Sequence, residues 1–185
     1  MQYAAFHALE TKRLSLRKLR LSDLPEYNLL YGDRQVCRYM LFDPHESLSQ
    51  SEASLHRTLR RYGETGFYRW AITRKTDDRL IGIIDLLRFD EKTDSCSFAY
   101  MLRPDFWNRG YGTEAVKAVF RFAFDEMGIQ TIAADHMAEN PASGAVMRKA
   151  RMTFTHRIEG KYEKNGASHD SLCYEIRKEN FHDGE

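Results

Sequence analysis

Cysteine is scarce in this chain. Three residues, Cys37, Cys96 and Cys173, stand far apart in 185. An odd, scattered set argues against a disulfide framework and against cysteine-based zinc spacing, and it fits a reducing compartment. The seven histidines contain no His-Glu-x-x-His pair, so no metal is expected. No stretch approaches the ~20 apolar residues that span a bilayer. Residues 1–10 carry neither the basic start nor the continuous apolar run of a secretion signal. The expectation is a cytoplasmic protein with no membrane partner. Excess charge of one sign is also missing. A net charge of +1 gives no bulk attraction to nucleic acid, so any basic site is local. With no repeat and no Pro/Gly/Ser-rich linker, the chain reads as a single domain over residues 1–185, with its core at about 12–179. A chain of this length buries enough apolar surface to fold without a staple.

What is present is a pattern that changes period along the chain. Leu14 and Leu16 alternate with polar residues and predict a half-buried strand over Lys12 to Leu19. Ser22 is placed to cap a helix with Pro25 in its first turn, running to about Tyr31. A second helix fits Ser49 to Tyr62, with a thin stripe of Ala53, Leu55, Leu59 and Tyr62, and Gly63 stops it. Three strands follow, Phe67 to Arg74, Leu80 to Phe89 and Ser95 to Leu102, joined by short polar turns that make them antiparallel neighbours. Apolar residues at 115, 116, 119, 120, 123, 124 and 127 then mark an amphipathic helix over Thr113 to Met127. Ile129 to His136 is a strand, Ala142 to Ala150 a short helix, and Met152 to Ile158 and Leu172 to Arg177 two more strands around the turn Asn165-Gly166. The sum is a mixed α/β fold: about seven mostly antiparallel strands flanked by about four helices, on both faces of the sheet.

The segment Arg103 to Ala115 is the most informative. Gly110 and Gly112 leave backbone N–H groups unobstructed just before a helix, whose unpaired N–H groups and positive dipole end point to the same place. Such a site suits a pyrophosphate, and Arg109 adds a charge beside it. Two glycines before a helix are often only a turn. The strand before the loop, the basic residue within it and the amphipathic helix after it favour the anion site. Gly110-Tyr-Gly112-Thr-Glu-Ala115 also matches the Gly-x-Gly-x-x-Ala dinucleotide fingerprint, with Asp135 at about the distance of its acidic residue. A dinucleotide oxidoreductase is disfavoured because Arg103 to Arg109 intervenes between strand and glycine, and because the strand closes an antiparallel meander.

At this loop the sequence resembles the GNAT acetyltransferases, and more closely their RimJ/RimL-type branch. The resemblance runs from Thr11-x-Arg13-Leu-x-Leu-Arg17 and Asp23 through Ile81-Gly82, Tyr100-Met-Leu102 and Trp107-Asn-Arg-Gly-Tyr-Gly-Thr-Glu-Ala115. It ends with Asn140-x-x-Ser143-x-x-Val146-x-x-Lys149. Arg151 stands where the family has a glycine, which predicts a reshaped connection. The superfamily's frequent general-acid tyrosine is absent, with Met147 near its place.

The resemblance implies transfer of acetyl from acetyl-CoA, the co-substrate, to a primary amine. The acceptor is a protein N-terminus or a small molecule, and many relatives form homodimers. Asn108, Arg109, Gly110, Tyr111, Gly112 and Thr113 would hold the pyrophosphate. The backbone of Met101, Leu102 and Arg103 would pair with the pantetheine arm, with an oxyanion donor near Met101, and Asn140 would line the other wall. Ser143 would protonate the leaving thiolate, unless it only caps its helix. For the base, Asp135 and His136 face opposite sides of their strand. His136 has the better unperturbed pKa, although a lone strand histidine is more often packed. Glu163 is a third candidate. Cys96 lacks any group to activate it as a nucleophile. Phe67, Tyr68 and Trp70, and the segment Asp43 to Glu46, are candidate acceptor contacts, more often core and solvated loop respectively. A non-catalytic acyl-CoA-binding module on the same fold is the alternative function.

Overall fold

A computed structural model describes residues 2–182. The meander forms as the alternation predicts. β1 (Leu9–Glu10) and β2 (Leu14–Arg17) precede β3 (Tyr68–Arg74), β4 (Leu80–Asp90) and β5 (Ser95–Leu102), each antiparallel to the next. The amphipathic segment becomes α4 (Tyr111–Asp125), followed by β6 (Thr131–Met137), α5 (Pro141–Lys149), β7 (Thr153–Lys164) and β8 (Ala167–Arg177). α1 (Leu24–Tyr31), α2 (Arg34–Cys37) and α3 (Leu48–Arg61) fill the stretch between β2 and β3. All eight strands form one sheet in the order β1-β2-β3-β4-β5-β6-β8-β7.

Several elements differ from the sequence reading. β1 and α2 are too short to show a period. Ser22 lies in a 3₁₀ turn, and Asp23 holds the N-cap position of α1 without a side-chain cap bond, its carboxylate accepting instead from Arg17 and the Arg20 N–H. Ser47 caps α3 through Gln50 N–H. Ala53 is exposed, and the buried stripe of α3 is Ser51, Leu55 and Thr58. The β7–β8 hairpin extends well beyond its apolar residues, since backbone pairing needs no apolar side chain; β7 is an edge strand exposed over Thr153 to Lys161.

Helices cover both faces. The α4 side holds the larger core, where Trp70, Phe120, Phe122 and Phe124 are all but fully buried. Tyr68 and Trp70 belong to it rather than to an acceptor site. The α1–α3 side holds a smaller cluster around Tyr27, Leu30, Leu55, Ile83 and Met101. It is supplemented by two ion pairs: Arg17 with Asp23, whose side chains are 8% and 6% exposed, and Arg69 with Asp85.

One junction shapes the site. β5 and β6 are the parallel pair, joined only at Ser95/Thr131, Cys96/Ile132 and Ser97/Ala133. Beyond these the pairing stops although both strands continue, so the sheet splits between Phe98 to Leu102 on one side and Ala134 to Met137 on the other. An unpaired strand edge at the centre of a sheet presents free backbone groups that an extended ligand can use.

Candidate active site

The glycine loop before α4 leads from the open end of the split to that helix. Asn108 adopts φ 58 and Gly110 φ 79, so two residues in left-handed geometry turn the chain into the helix. Gly110 is the N-cap and has no side chain to satisfy the first-turn N–H groups. Those of Tyr111, Gly112 and Thr113 are left for an anion. Gly112 is tightly packed: a Cβ there would stand 3.3 Å from Leu102 and 3.4 Å from Tyr100. Arg109 is exposed beside the turn. The Trp107 indole N–H closes the loop onto the Leu102 carbonyl at 2.8 Å.

The register identifies which backbone groups face the split. Arg103 N–H donates to Ile81 O at 2.9 Å, and the pairing runs without a shift from Gly82/Leu102 to Leu87/Ser97. Antiparallel alternation then turns the N–H and C=O of Met101 and Arg103 toward β4, and those of Phe98, Tyr100 and Leu102 toward β6 and the split, where the Leu102 carbonyl is already taken by the Trp107 indole. Of the three residues expected to pair with a pantetheine arm, only Leu102 faces it. Tyr100 joins it, and the spacing of two comes from the pleat.

On the α4–α5 face of the split, Asn140 caps α5 by accepting from Ser143 N–H at 3.3 Å. Ser143 is therefore inside the first turn rather than the cap, and its hydroxyl is free to reach the Tyr100 phenol. Burial pushes that phenol up to about 12, with the neighbouring Ser143 hydroxyl acting in the opposite direction. Pro141 and Gly144 let α5 lie close to β6: a Cβ on Gly144 would sit 2.6 Å from His136 Nε2. His136 is 6% exposed under this helix, with Nδ1 2.8 Å from Met137 O and its ring stacked on Tyr174.

Asp135 points to the opposite face. Its Oδ2 accepts from Lys161 at 2.8 Å and from the Tyr162 and Ser171 hydroxyls. Burial works to raise its carboxyl, but these bonds outweigh it and hold the group below the ordinary range. This placement also removes Asp135 from the ribose position of a dinucleotide site, since it lies across the sheet from the N-terminus of α4. Asp85 pairs with Ala99, and Ala99 and Ala133 are exposed in the middle of the sheet. The α1–α3 face therefore has an open alanine floor at the split, with Asp85 on one side and Asp135 on the other. Lys164, near the hairpin tip, reaches back to Met40 O at 2.6 Å and Phe42 O at 3.2 Å. That contact joins elements from the two sides of the split.

The remaining candidates lie elsewhere. Glu163 is exposed beside the hairpin turn. Cys96 is buried, which pushes its thiol up to about 12. His45 is stacked on Tyr31 with Nδ1 2.8 Å from Ser51 Oγ, and burial lowers its pKa. Among the described residues no group of three His, Cys, Asp or Glu side chains could hold a metal. Asp85 and Lys164 escaped the sequence reading, and Tyr100 entered it only as part of a motif, because their neighbours here lie far along the chain.

Known proteins share this architecture. The chain is 27% identical over 173 residues to YoaA, an uncharacterised N-acetyltransferase of Bacillus subtilis, covering 94% of this chain and 98% of that one. Among solved structures, a GNAT-family acetyltransferase from Bacillus anthracis superposes with a TM-score of 0.83 at 20% identity, over 94% of this chain and 99% of the other. Spermidine N-acetyltransferase from Vibrio cholerae, solved with CoA and spermine, superposes with a TM-score of 0.80 at 18% identity, over 92% and 99%. A family model for the acetyltransferase (GNAT) domain matches residues 13–153, and the chain belongs to the GNAT acetyltransferases.

Proposed function

We propose that this protein transfers the acetyl group of acetyl-CoA to the primary amine of a small molecule. The carrying observation is the split between β5 and β6, which opens at the unfilled N-terminus of α4 behind Gly110. The diphosphate sits against the N–H groups of Tyr111 to Thr113, with Asn108 and Arg109 flanking it. The pantetheine arm runs along Tyr100 and Leu102. One of their N–H groups supports the oxyanion, a contact whose loss typically costs about 2.7–4 kcal/mol in acyl transfer. Asn140 holds the first turn of α5 against the arm. Ser143, backed by Tyr100, protonates the departing thiolate.

The amine comes from the other face, over Ala99 and Ala133. Asp135 presents Oδ1 to it, while Oδ2 is occupied by Lys161, Tyr162 and Ser171. A carboxylate held low binds an ammonium well and takes its proton poorly, so Asp135 orients the amine and water removes the proton. His136, enclosed beneath α5, packs the helix onto β6. The Lys164 contact to Met40 and Phe42 roofs this side, which favours a small amine over the N-terminus of a folded protein. The neighbour solved with spermine points the same way. The RimJ/RimL-like features, Trp107 to Ala115 and Asn140 to Lys149, concern the CoA side and fit either acceptor.

The test is calorimetric titration of acetyl-CoA, and separately NAD(P)H, into the wild type and Gly110→Glu. The substitution forces a side chain into positive φ and sets a carboxylate at the cradle. The expected result is acetyl-CoA binding weakened at least about a hundredfold, ~2.7 kcal/mol, with no NAD(P)H binding by either protein. A panel of polyamines, amino acids and N-terminal peptides then reads turnover, with Ser143→Ala expected to lower it. Wild type that ignores acetyl-CoA would sink the proposal, and binding without turnover on any amine would leave an acyl-CoA-binding module.

A further inference from the structure

We propose that Arg13 is the positioning residue of the phosphate loop, holding residues 109–114 in the shape that receives a diphosphate; this role rests on the acetyl-CoA reading above. Several contacts converge on its guanidinium. Nη1 donates to the Arg109 carbonyl at 2.9 Å. Nε donates to Glu114 Oε2 at 2.7 Å, and Nη2 lies 2.6 Å from the same oxygen. The flat group covers the Tyr111 ring with its carbon 4.4 Å from the centroid. The residues it touches bracket Gly110, where a Cβ would stand 3.3 Å from Nη2. The N-cap glycine thus serves two ends: it supplies the left-handed turn and leaves room for the guanidinium.

The loop needs this support because two of its own groups work against an anion. Glu114 lies in the first turn of α4, where the helix dipole attracts a carboxylate. The same positive end has to receive the diphosphate, so an untethered Glu114 competes for it. Instead the Thr11 hydroxyl donates to Oε1 at 2.6 Å and the Arg13 N–H donates to it at 2.9 Å. The guanidinium takes Oε2 and neutralises the charge. Burial works to raise the Glu114 carboxyl, and these bonds outweigh it, leaving the group below the ordinary range. The second group is the Arg109 carbonyl, which would present oxygen to phosphate if the turn rotated; Arg13 fixes it. Arg13 touches no reacting atom, and its effect is confined to the part of the donor that carries phosphate.

That confinement sets the experiment. CoA is titrated calorimetrically, and pantetheine, which has the thiol arm without the diphosphate, by NMR. The proteins are wild type, Arg13→Met and Arg13→Lys, each with its melting temperature recorded. Arg13→Met is expected to weaken CoA by about tenfold or more, ~1.4 kcal/mol per factor of ten, while pantetheine shifts by less than about twofold. Arg13→Lys, with one charged donor, falls between. If Arg13→Met does not fold, the lysine variant carries the same comparison. A folded Arg13→Met that keeps wild-type CoA affinity, or that loses CoA and pantetheine by the same factor, overturns the role. A wild type that binds pantetheine as tightly as CoA overturns the diphosphate cradle itself, and with it the reading on which this role depends.

Discussion

The two faces of the split sheet are held by different physics. On the α4–α5 face an aromatic and aliphatic core is buried continuously from β2 to β8, and the site above it is made of backbone groups: N–H at the start of α4 and the edge of β5. On the α1–α3 face the apolar cluster is small, and paired charges do much of the joining: Arg17 with Asp23, Arg69 with Asp85, Asp135 with Lys161. Backbone geometry depends little on side-chain identity, so a common cofactor suits the first face. Charged pairs change with single substitutions, so under the proposed function the second face would be the one that selects an acceptor.

The largest expected effect strikes the charged face. Arg17→Met leaves Asp23 buried without its bidentate partner, and breaking such a pair costs about 3–5 kcal/mol. Urea unfolding reads the loss. If the faces are separable, CoA affinity measured well below the melting temperature stays near wild type; a parallel loss would show that the two faces form one cooperative unit.

A smaller effect tests the Arg13–Glu114 charge pair beside α4. Glu114 has a folded value below its ordinary 4.5, so its stabilisation is present above that value and is lost as pH falls through the lower folded one. Glu114→Gln is expected to be less stable than wild type near neutrality, by about 1–2 kcal/mol if charged bonds become neutral ones. The gap should close in urea series taken toward pH 3. A gap that persists in acid would mean that packing, not charge, ties α4 to β2.

The smallest effect concerns a residue that belongs to neither face. The connection after α5 keeps left-handed geometry although Arg151 replaces the family's glycine: its φ is 70, with Arg151 N–H on Arg148 O at 3.0 Å and Met152 N–H on Met147 O at 3.0 Å. The expected reshaping does not occur, because an exposed side chain can point to solvent while the backbone bears the strain. Arg151→Gly should stabilise the protein by about 1 kcal/mol, read as a rise in melting temperature with CoA affinity unchanged.

Much of the fold was legible because period and punctuation are local. The alternation at Leu14 and Leu16 and the helical spacing from Ala115 to Met127 each follow from residues within a few positions of one another. The glycine loop was legible for the same reason. α2 and β1 were not, being shorter than any period. The capping of α1 was misassigned because Asp23 rather than Ser22 holds the N-cap position, with its carboxylate bound to Arg17 rather than to the helix N–H groups. His136 and Asp135 were correctly sent to opposite faces by strand alternation, while their surroundings, Gly144 for one and the β7–β8 hairpin for the other, come from elements placed by the sheet order.

By itself the sequence determined where the longer strands and helices lie and that a glycine-containing turn leads into α4. Only the tertiary structure decided that β5 and β6 part after three residue pairs, that Tyr100 and Leu102 rather than Met101 face the opening, and that Arg13 lies under the loop. The physical reason is range. Backbone preference and hydrophobic period act over a few residues, whereas register, splay and a contact between residues 13 and 114 exist only once the sheet has set which strands are neighbours.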